Sequence, residues 1–510
     1  MKGAWFRFLA SGLLLAWSVS KASPDPISTN AADASASDPL SSETTVIRPA
    51  PLTDGILRNP AMGWMIYMEP EGGSFPPCAQ FWKTMEPYVP MASILYIRCT
   101  WAKLEPQEGH YAWSEDSNLQ AIMDEATRRG LKLAFRVIVN SKDCQTPASP
   151  DWVQEAGAQG YMVGGQGGKQ LWTPSVRDPV FREKFQNFVA AFAQKFDDPS
   201  RVDFVDGGSL GWWGEMHHID PAVTSDDQKK EILQWVLGTY AGAFHNVLLA
   251  LNMDPGHLEM ACNTYGYVIR RDSMGGFWYN PDQRKQVMTT FAKVPFIAEC
   301  CYFSIANWTD QWKKDPRNYQ TPRDVLQGSY QDAIDSHANT LDLRGAHDAA
   351  EWVKDAPDLV NSFLVKGGYR LYPVSVEIPL HFAGNQPVTI HHAWKNLGVG
   401  ILPNDNLRWN RKYRVAFALL DPETKTVVSS ATDPNADPGT WLTGQEWPNT
   451  CAIAFSPTPP PGAYLLALAI VNTQDGNKPE IRLAAADLEV SDGWSLLAKV
   501  RVETPDTARN

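Results

Sequence analysis

The chain has 510 residues, a length that suggests two or three domains because single cores stop growing near roughly 250–300 residues. Apolar residues make up 44% and charged residues 20%, enough burial to offset chain entropy, so wholesale disorder is excluded. Lys plus Arg total 45 against 57 Asp plus Glu, a net charge of −12, which excludes the basic footprint of general nucleic-acid binding; no nucleic acid is expected as a partner.

The first segment reads as an address label. Lys2 and Arg7 flank the start of an apolar run, 8–17, and small residues follow, with cleavage expected after Ala22. The run is shorter than the roughly 18–20 apolar residues a spanning helix needs, and no such stretch occurs elsewhere, so no membrane span is expected. Residues 1–22 are therefore expected to be a signal peptide, and the protein periplasmic or secreted. Residues 23–50, dominated by Ser, Ala, Asp, Thr and Pro, read as a disordered linker.

Residues 51–366 alternate strand-like and helix-like segments. Strand signals are expected near 56–66 and at 93–98, 131–139, 202–205, 247–251, 265–269, 296–298 and 340–343. Helical spacing at 116–130, 179–196, 228–243 and 323–337 separates several of them. Eight alternating units over roughly 300 residues predict parallel pairing and a closed (β/α)8 barrel. A doubly wound sheet would want a phosphate-binding glycine loop after its first strand, and none is present. The run Gly164-Gly165-Gln166-Gly167-Gly168 follows no strand and reads as a flexible loop.

From 367 to 502 the texture changes to short β-like runs, at 369–378, 388–394, 413–419, 426–430, 451–455, 463–472 and 482–490. Turn signals such as Asp421-Pro422 and Asp433-Pro434 separate them, which predicts an antiparallel β-sandwich. The fold class is thus α/β, a barrel followed by a sandwich whose role is structural.

Seven cysteines cannot all pair. Cys78 and Cys144 fall in loops after the first and third barrel strands, where a disulfide would tie down two mouth loops; Cys262 with Cys300 or Cys301 is the alternative pairing. His217-His218 and His391-His392 are doublets rather than i, i+4 pairs, and the cysteine spacings show no zinc pattern, so no metal and no cofactor are expected.

Barrel enzymes place reactive groups at the C-terminal ends of strands. The fourth strand leads through Gly208-Ser209-Leu210-Gly211-Trp212-Trp213-Gly214 to Glu215, and the apolar seventh ends at Glu299. Two carboxylates facing each other across a mouth are what glycoside hydrolysis needs, one to donate a proton and one to stay ionised. The excess of aromatic residues, including 20 Trp, supplies flat apolar walls for sugar faces.

The segment from Thr100 to Trp113, with Trp101, Leu104, Glu105, Pro106, Gly109, Tyr111 and Trp113, resembles the W-x-x-L-E-P-x-x-G-x-Y-x-W stretch after strand two of many barrel glycoside hydrolases. Those form the retaining clan of bacterial β-galactosidases, xylanases and endoglucanases. The glycine-rich exit to His217 and the opening Arg58-Asn59-Pro60-Ala61-Met62-Gly63-Trp64 further resemble an uncharacterised bacterial barrel-plus-sandwich family, domain of unknown function 4832. The resemblance implies Glu215 as acid/base, Glu299 as nucleophile and a carbohydrate substrate. It also implies an Arg at the end of strand two, here Arg98, that keeps the nucleophile ionised; Arg136 on strand three competes for this task. A Tyr of strand six touching the nucleophile is implied too, with Tyr265 and Tyr267 both available. Two positions depart from the clan. Gly214 stands where an Asn usually precedes the acid/base, and the eighth strand leads into Arg344-Gly345-Ala346-His347 rather than Trp.

By position, Trp101, Trp213 and Tyr302 are expected to wall the mouth, and His217 to bind sugar hydroxyls or orient Glu215. The expected function is a retaining glycoside hydrolase. A barrel that binds carbohydrate without cleaving it is the alternative, and an interaction protein docking through its sandwich ranks third.

Overall fold

A computed structural model describes residues 43–69, 74–252, 258–290, 293–303, 305 and 309–504. The expected signal peptide and most of the expected linker lie outside them. In chain order the strands are β1 (Thr44–Ile47), β2 (Gly63–Met68), β3 (Ala92–Thr100), β4 (Lys132–Ile138), β5 (Gly160–Gly164), β6 (Gln170–Pro174), β7 (Val202–Asp206), β8 (Leu248–Asn252), β9 (Val268–Met274), β10 (Phe296–Cys300) and β11 (Ala338–Arg344). They continue with β12 (Leu371–Pro379), β13 (His381–Ala383), β14 (Val388–Asn396), β15 (Tyr413–Leu420), β16 (Val427–Thr432), β17 (Glu446–Ile453), β18 (Gly462–Asn472), β19 (Lys478–Ile481), β20 (Val490–Ser491) and β21 (Trp494–Glu503).

Eight of these close into a barrel in the order β2-β3-β4-β7-β8-β9-β10-β11 and back to β2, every pair parallel. Neighbours in the chain are neighbours in space, as short right-handed crossovers require. The strands are apolar on both faces because one face packs on helices and the other fills the barrel. Helix Pro179–Phe196 shows the outer layer's logic. Asp178 caps it by accepting from the Phe181 N–H at 2.9 Å, and Pro179 opens its first turn. Its buried stripe of Phe181, Phe185, Phe188, Phe192 and Phe196 meets Trp101, Trp113 and Phe135.

The sandwich consists of a four-stranded sheet, β1-β12-β14-β17, and a sheet built on β13-β21-β18-β15-β16 with β19 and β20 at its margins. The sheets meet where His392 of β14 packs on Phe417 of β15, ring centroids 5.6 Å apart. Loops of this unit seal the barrel's N-terminal end. Asn339, near the start of β11, donates to the carbonyls of Ala61 and Ile401 and accepts from the Ile401 N–H at 3.1 Å. Asn406 donates to the Gly266 carbonyl, just before β9, and Arg408 to the Val247 carbonyl, just before β8. Buried Arg370 spends its guanidinium on the carbonyls of Leu52, Asp54, Gly55 and Leu364. The C-terminal ends of the barrel strands lie at the other pole.

Several expectations change. The end of the presumed linker forms β1, paired antiparallel with β12 from Thr44 opposite Pro379 to Ile47 opposite Val376; the alternating Thr44-Thr45-Val46-Ile47 supplies the edge of a sheet. The first barrel strand is Gly63–Met68, later than expected. The Gly164–Gly168 run is the tip of the β5–β6 hairpin rather than a free loop. The run 482–490 is no strand. Its start is held by Asn59, which exchanges two hydrogen bonds with Arg482, and the Ala484 N–H donates to the Leu371 carbonyl. The last long strand is instead β21. No disulfide joins Cys78 to Cys144: Cys78 opens the helix Cys78–Met85, and the Cys144 sulfur faces the Asn140 and Lys142 carbonyls.

Two consequences for stability are measurable. Asn339→Ala strands buried backbone groups of both units, and the expected loss is about 2–3 kcal/mol, read as a lower urea midpoint at unchanged slope. Asp203 is buried in β7 and accepts from the Ala61 N–H with both oxygens, at 2.8 and 2.9 Å. Burial pushes its carboxyl up to about 6, against the pull of Lys132 and of that hydrogen bonding. A raised folded-state value stabilises fully below the unfolded value near 4 and is lost as pH rises through about 6. Measured against Asp203→Asn, wild-type stability is expected to fall by on the order of 2–3 kcal/mol between pH 4 and pH 6.

Candidate active site

The barrel interior is layered, as inward side chains of a closed sheet must be. Tyr67 of β2, Tyr96 of β3 and Phe204 of β7 pack ring to ring, centroids 4.9 and 5.5 Å apart. Two residues further along each strand the next inward position is polar: Arg98 of β3, Asp206 of β7, and Glu69 just past β2. Arg98 lies opposite Arg136 in the register of β3 and β4, and Arg136 opposite Asp206 in that of β4 and β7. Arg270 of β9, Glu299 of β10 and Arg344 of β11 complete the layer, with the guanidinium of Arg344 5.2 Å from the Tyr67 ring below.

Four arginines and four carboxylates thus meet at the strands' C-terminal ends. Arg98 donates to Glu299 Oε1 at 3.1 Å and pairs with Glu69 at 3.0 Å. Arg344 donates to the same Glu299 oxygen at 2.8 Å, and Arg270 pairs with Glu299 Oε2. Arg136 donates through Nε to Asp206 at 2.9 Å and through Nη1 to Glu215 Oε1 at 2.8 Å, with Nη2 3.8 Å from Glu299. Arg98 Nη2 stands 4.0 Å from Glu215. The two expected catalytic glutamates therefore share Arg98 and Arg136, and both are buried.

Glu215 is delivered by the loop after β7, which is folded against itself. The Met216 N–H donates to the Leu210 carbonyl and the Trp212 N–H to the His217 carbonyl. Ser209, Trp213, Met216 and His218 all have positive φ, a costly backbone that persists where its surroundings enforce it. Gly211 has no substitute here, because a Cβ would stand 2.2 Å from the His217 carbonyl oxygen. Gly214 has φ +75°, and a Cβ built there would stand 3.4 Å from Arg136 Cδ. Burial pushes the Glu215 carboxyl up, but the His217 contact and the charges of Arg136, Arg270 and Arg98 outweigh it and hold the group well below the usual carboxylate range. Glu69 is likewise held low: burial is outweighed by Arg98 and Arg344.

Other expected residues divide. His217 reaches the site, its Nε2 3.4 Å from Glu215 Oε2. Trp213 lies at the rim, its carbonyl facing Arg136 and its side chain 37% exposed. Trp101 does not wall the mouth. It is fully buried among Trp152, Phe181, Phe185 and Phe188, and its indole N–H is committed to Glu105 at 2.8 Å. Tyr302 is buried too, its hydroxyl donating to Asp315 at 2.7 Å rather than to a mouth carboxylate. Tyr267 donates to the Leu237 carbonyl and Tyr265 to that of Gln234, so neither touches Glu299; Arg270 of the same strand does. Sequence reasoning missed Glu69, Asp206 and Arg270, and saw Arg344 only as a departure. Each is a charge that follows directly on an apolar run, the same signal that found Glu299, although β9 continues past Arg270 to Met274.

A cavity of about 830 Å³ opens beside the loop that carries Glu215, lined in part by Tyr161, Met162, Trp212, His217, His218 and Asn252. Tyr161 and Met162 come from the β5–β6 hairpin. Asn252, at the end of β8, is buried, and its Oδ1 has no hydrogen-bond partner among the described residues. The volume is within the roughly 300–1,000 Å³ of small-molecule sites.

Among the described residues, potential metal ligands gather in two places, His347 with Asp348 and Glu351, and His392 with Asp433 and Cys451 inside the sandwich. In the second, the Trp394 indole donates to His392 Nδ1 at 2.7 Å, so the neutral ring carries its proton on Nε2, toward Asp433 at 2.9 Å. Burial, aided by Asp433, pushes the Cys451 thiol up to about 12. The Trp394 indole and Asp433 thus take up both ring nitrogens of His392 in a buried hydrogen-bonded group.

Residues 88–206 match the family 42 glycoside hydrolase model, described as beta-galactosidase. Among solved structures, the chain is similar to an exo-beta-1,4-mannosidase from Opitutaceae bacterium strain TAV5, with 13% identity, TM-score 0.38, and coverage of 57% of this chain and 54% of that one. It is similar to a beta-galactosidase from the psychrophilic Marinomonas ef1, with 11% identity, TM-score 0.38 and coverage of 59% of each chain. A family 5 glycoside hydrolase from Prevotella bryantii B14 gives 12% identity and TM-score 0.37, over 62% of this chain and 99% of that one. The chain thus spans about half the length of the mannosidase. No curated protein matches. The family match runs through β3, β4 and β7 and ends before Glu215 and Glu299, so the resemblance to barrel glycoside hydrolases is carried by the wall of the site and not by its two glutamates.

Proposed function

We propose that the protein is an exported retaining glycoside hydrolase that cleaves a polysaccharide or oligosaccharide. Glu299 is the nucleophile and Glu215 the acid/base, and the likeness to the uncharacterised barrel-plus-sandwich family is part of the same reading. The observation that carries it is the convergence of Glu215 and Glu299, from the ends of the fourth and seventh barrel strands, on Arg98 and Arg136. Arg98, Arg270 and Arg344 compensate the charge of Glu299 where water is scarce, which suits a carboxylate that must attack an anomeric carbon. Glu215 faces His217 and the cavity side, where a leaving group would sit. The exposed ring of Trp213 offers a flat face at the rim.

Binding of carbohydrate without cleavage is the second reading. The observation that favours it is the strong compensation of Glu215, which holds its carboxyl ionised at neutral pH. A panel of aryl glycosides and polysaccharides, assayed with wild type and Glu299→Gln side by side, separates the two. Cleavage by wild type with a loss of at least about 10³-fold in the variant is expected. Retention of a glycan on an affinity gel without product, in both proteins, is the outcome of the binding reading.

The roles of the two glutamates separate by stereochemistry. With azide, Glu299→Ala is expected to yield a glycosyl azide of inverted configuration, because azide replaces the nucleophile. Glu215→Ala on an activated aryl substrate is expected to yield the retained product, because azide then intercepts the covalent intermediate. Product configuration by proton NMR reads both, and opposite outcomes would exchange the roles.

A further inference from the structure

Glu215 is only 7% exposed. Its Oε1 is taken by Arg136, and Arg136 is fixed in turn by Asp206, so neither moves without breaking a fully buried ion pair. Its Oε2 faces His217 Nε2 at 3.4 Å. Glu215 is not part of the cavity lining, whereas His217 and His218 are. The two imidazoles meet through their Nδ1 atoms at 2.9 Å. The His218 ring lies flat on Trp212, centroids 3.9 Å apart at 9°, and the residue is exposed. A line of titratable atoms therefore runs from the buried carboxylate to open space.

We propose that His217 and His218 are a proton relay through which Glu215 gains its proton when substrate binds and loses it when product leaves. The proposal rests on the hydrolase reading and deepens it. To load the acid, His218 Nε2 takes a proton from water. A proton passes between the two Nδ1 atoms, and His217 Nε2 gives its own to Glu215 Oε2. Each ring accepts a proton on one nitrogen and releases one from the other, so loading leaves both in the opposite tautomer, and the later discharge, running the same path backwards, restores the first. The glycosidic oxygen then takes the proton from Glu215 as Glu299 attacks the anomeric carbon and the C–O bond breaks. In the second half the attacking water returns a proton to Glu215 as the bond to Glu299 breaks, and the relay discharges it to solvent.

His218 has a positive φ, and its ring stacks on Trp212. The other charged groups around the cavity are already engaged. Lys142 pairs with Asp143 and Lys229 with Asp226. Asp220 accepts from Ser175, Val176 and Ala222. On the buried side, Arg136, Arg270 and Arg98 face Glu215. Burial lowers the His218 pKa, and so does the charge of His217, which couples the two rings electrostatically as well as by distance.

The test has one arm that needs no substrate. In full-length protein labelled with ¹⁵N-histidine, His217→Gln is expected to move the titration midpoint of His218 upward, because one of the two causes that depress it is removed. An unmoved midpoint overturns the relay. In the kinetic arm, kcat/KM of His217→Gln is compared on a nitrophenyl glycoside and on the same sugar with a poorly leaving alkyl aglycone. The loss is expected to be at least about tenfold greater on the alkyl substrate, where proton delivery limits the rate, and free imidazole is expected to recover part of it. Equal losses on both substrates overturn the relay and mark His217 as structural. A wild type that cleaves nothing in the panel overturns the hydrolase reading instead, and the His218 midpoint then decides alone whether the two rings are coupled.

Discussion

A charge taken out of water has to be met by an opposite one, and Arg136 shows how strictly this governs the barrel mouth. Its side chain is fully buried, its Nε is spent on Asp206 and its Nη1 on Glu215. Removing one partner of such a pair costs about 3–5 kcal/mol, because the other is left alone in a dry setting. The remaining members are fixed by the same rule. Arg270 and Arg344 compensate Glu299, Arg98 is shared by Glu69, Glu215 and Glu299, and the layer rests on the rings of Tyr67 and Tyr96. The site is thus held in place by charge balance more than by shape.

That balance acts in opposite senses on the two glutamates. A nucleophile profits from being held ionised. A proton donor does not, and the cations that pull Glu215 down work against its use as an acid. Many paired-carboxylate sites raise one partner by apolar walls or by the neighbouring negative charge; here arginines surround both. The departures noted in the sequence belong to this same arrangement. Arg344 replaces an aromatic residue after the last strand and contacts Glu299. Gly214 replaces an amide and lets the backbone run close beside Arg136.

The barrel was legible because its strands are short apolar runs buried on both faces, alternating with helices whose stripes recur at three and four residues. Helix Pro179–Phe196 could be read to the residue, since an Asp cap, a first-turn Pro and five phenylalanines agree on its limits. The edges were less legible. The strand signals stopped at 269 and 343, one residue short of Arg270 and Arg344, because a charge ordinarily ends an apolar run. Convergence of such charges is a property of the closed barrel, and no local window contains it. Trp101 misleads for the opposite reason: a tryptophan beside a strand end has the same local sequence whether it faces a substrate or folds back onto a helix. The run 482–490 has the composition of a strand, but its backbone bonds are taken by loop partners such as Asn59.

The sealed pole of the barrel bears on traffic. Asn339, Arg370, Asn406 and Arg408 fasten the sandwich to the ends from which the strands start, and the layer of Tyr67, Tyr96 and Phe204 blocks the interior above it. The described residues leave that end covered. Whatever occupies the mouth must back out past the rim by which it entered, so a departing molecule and an arriving one contend for the same doorway. In such a vestibule a slow-leaving fragment acts as its own competitor, and how long it lingers sets the pace of the next encounter.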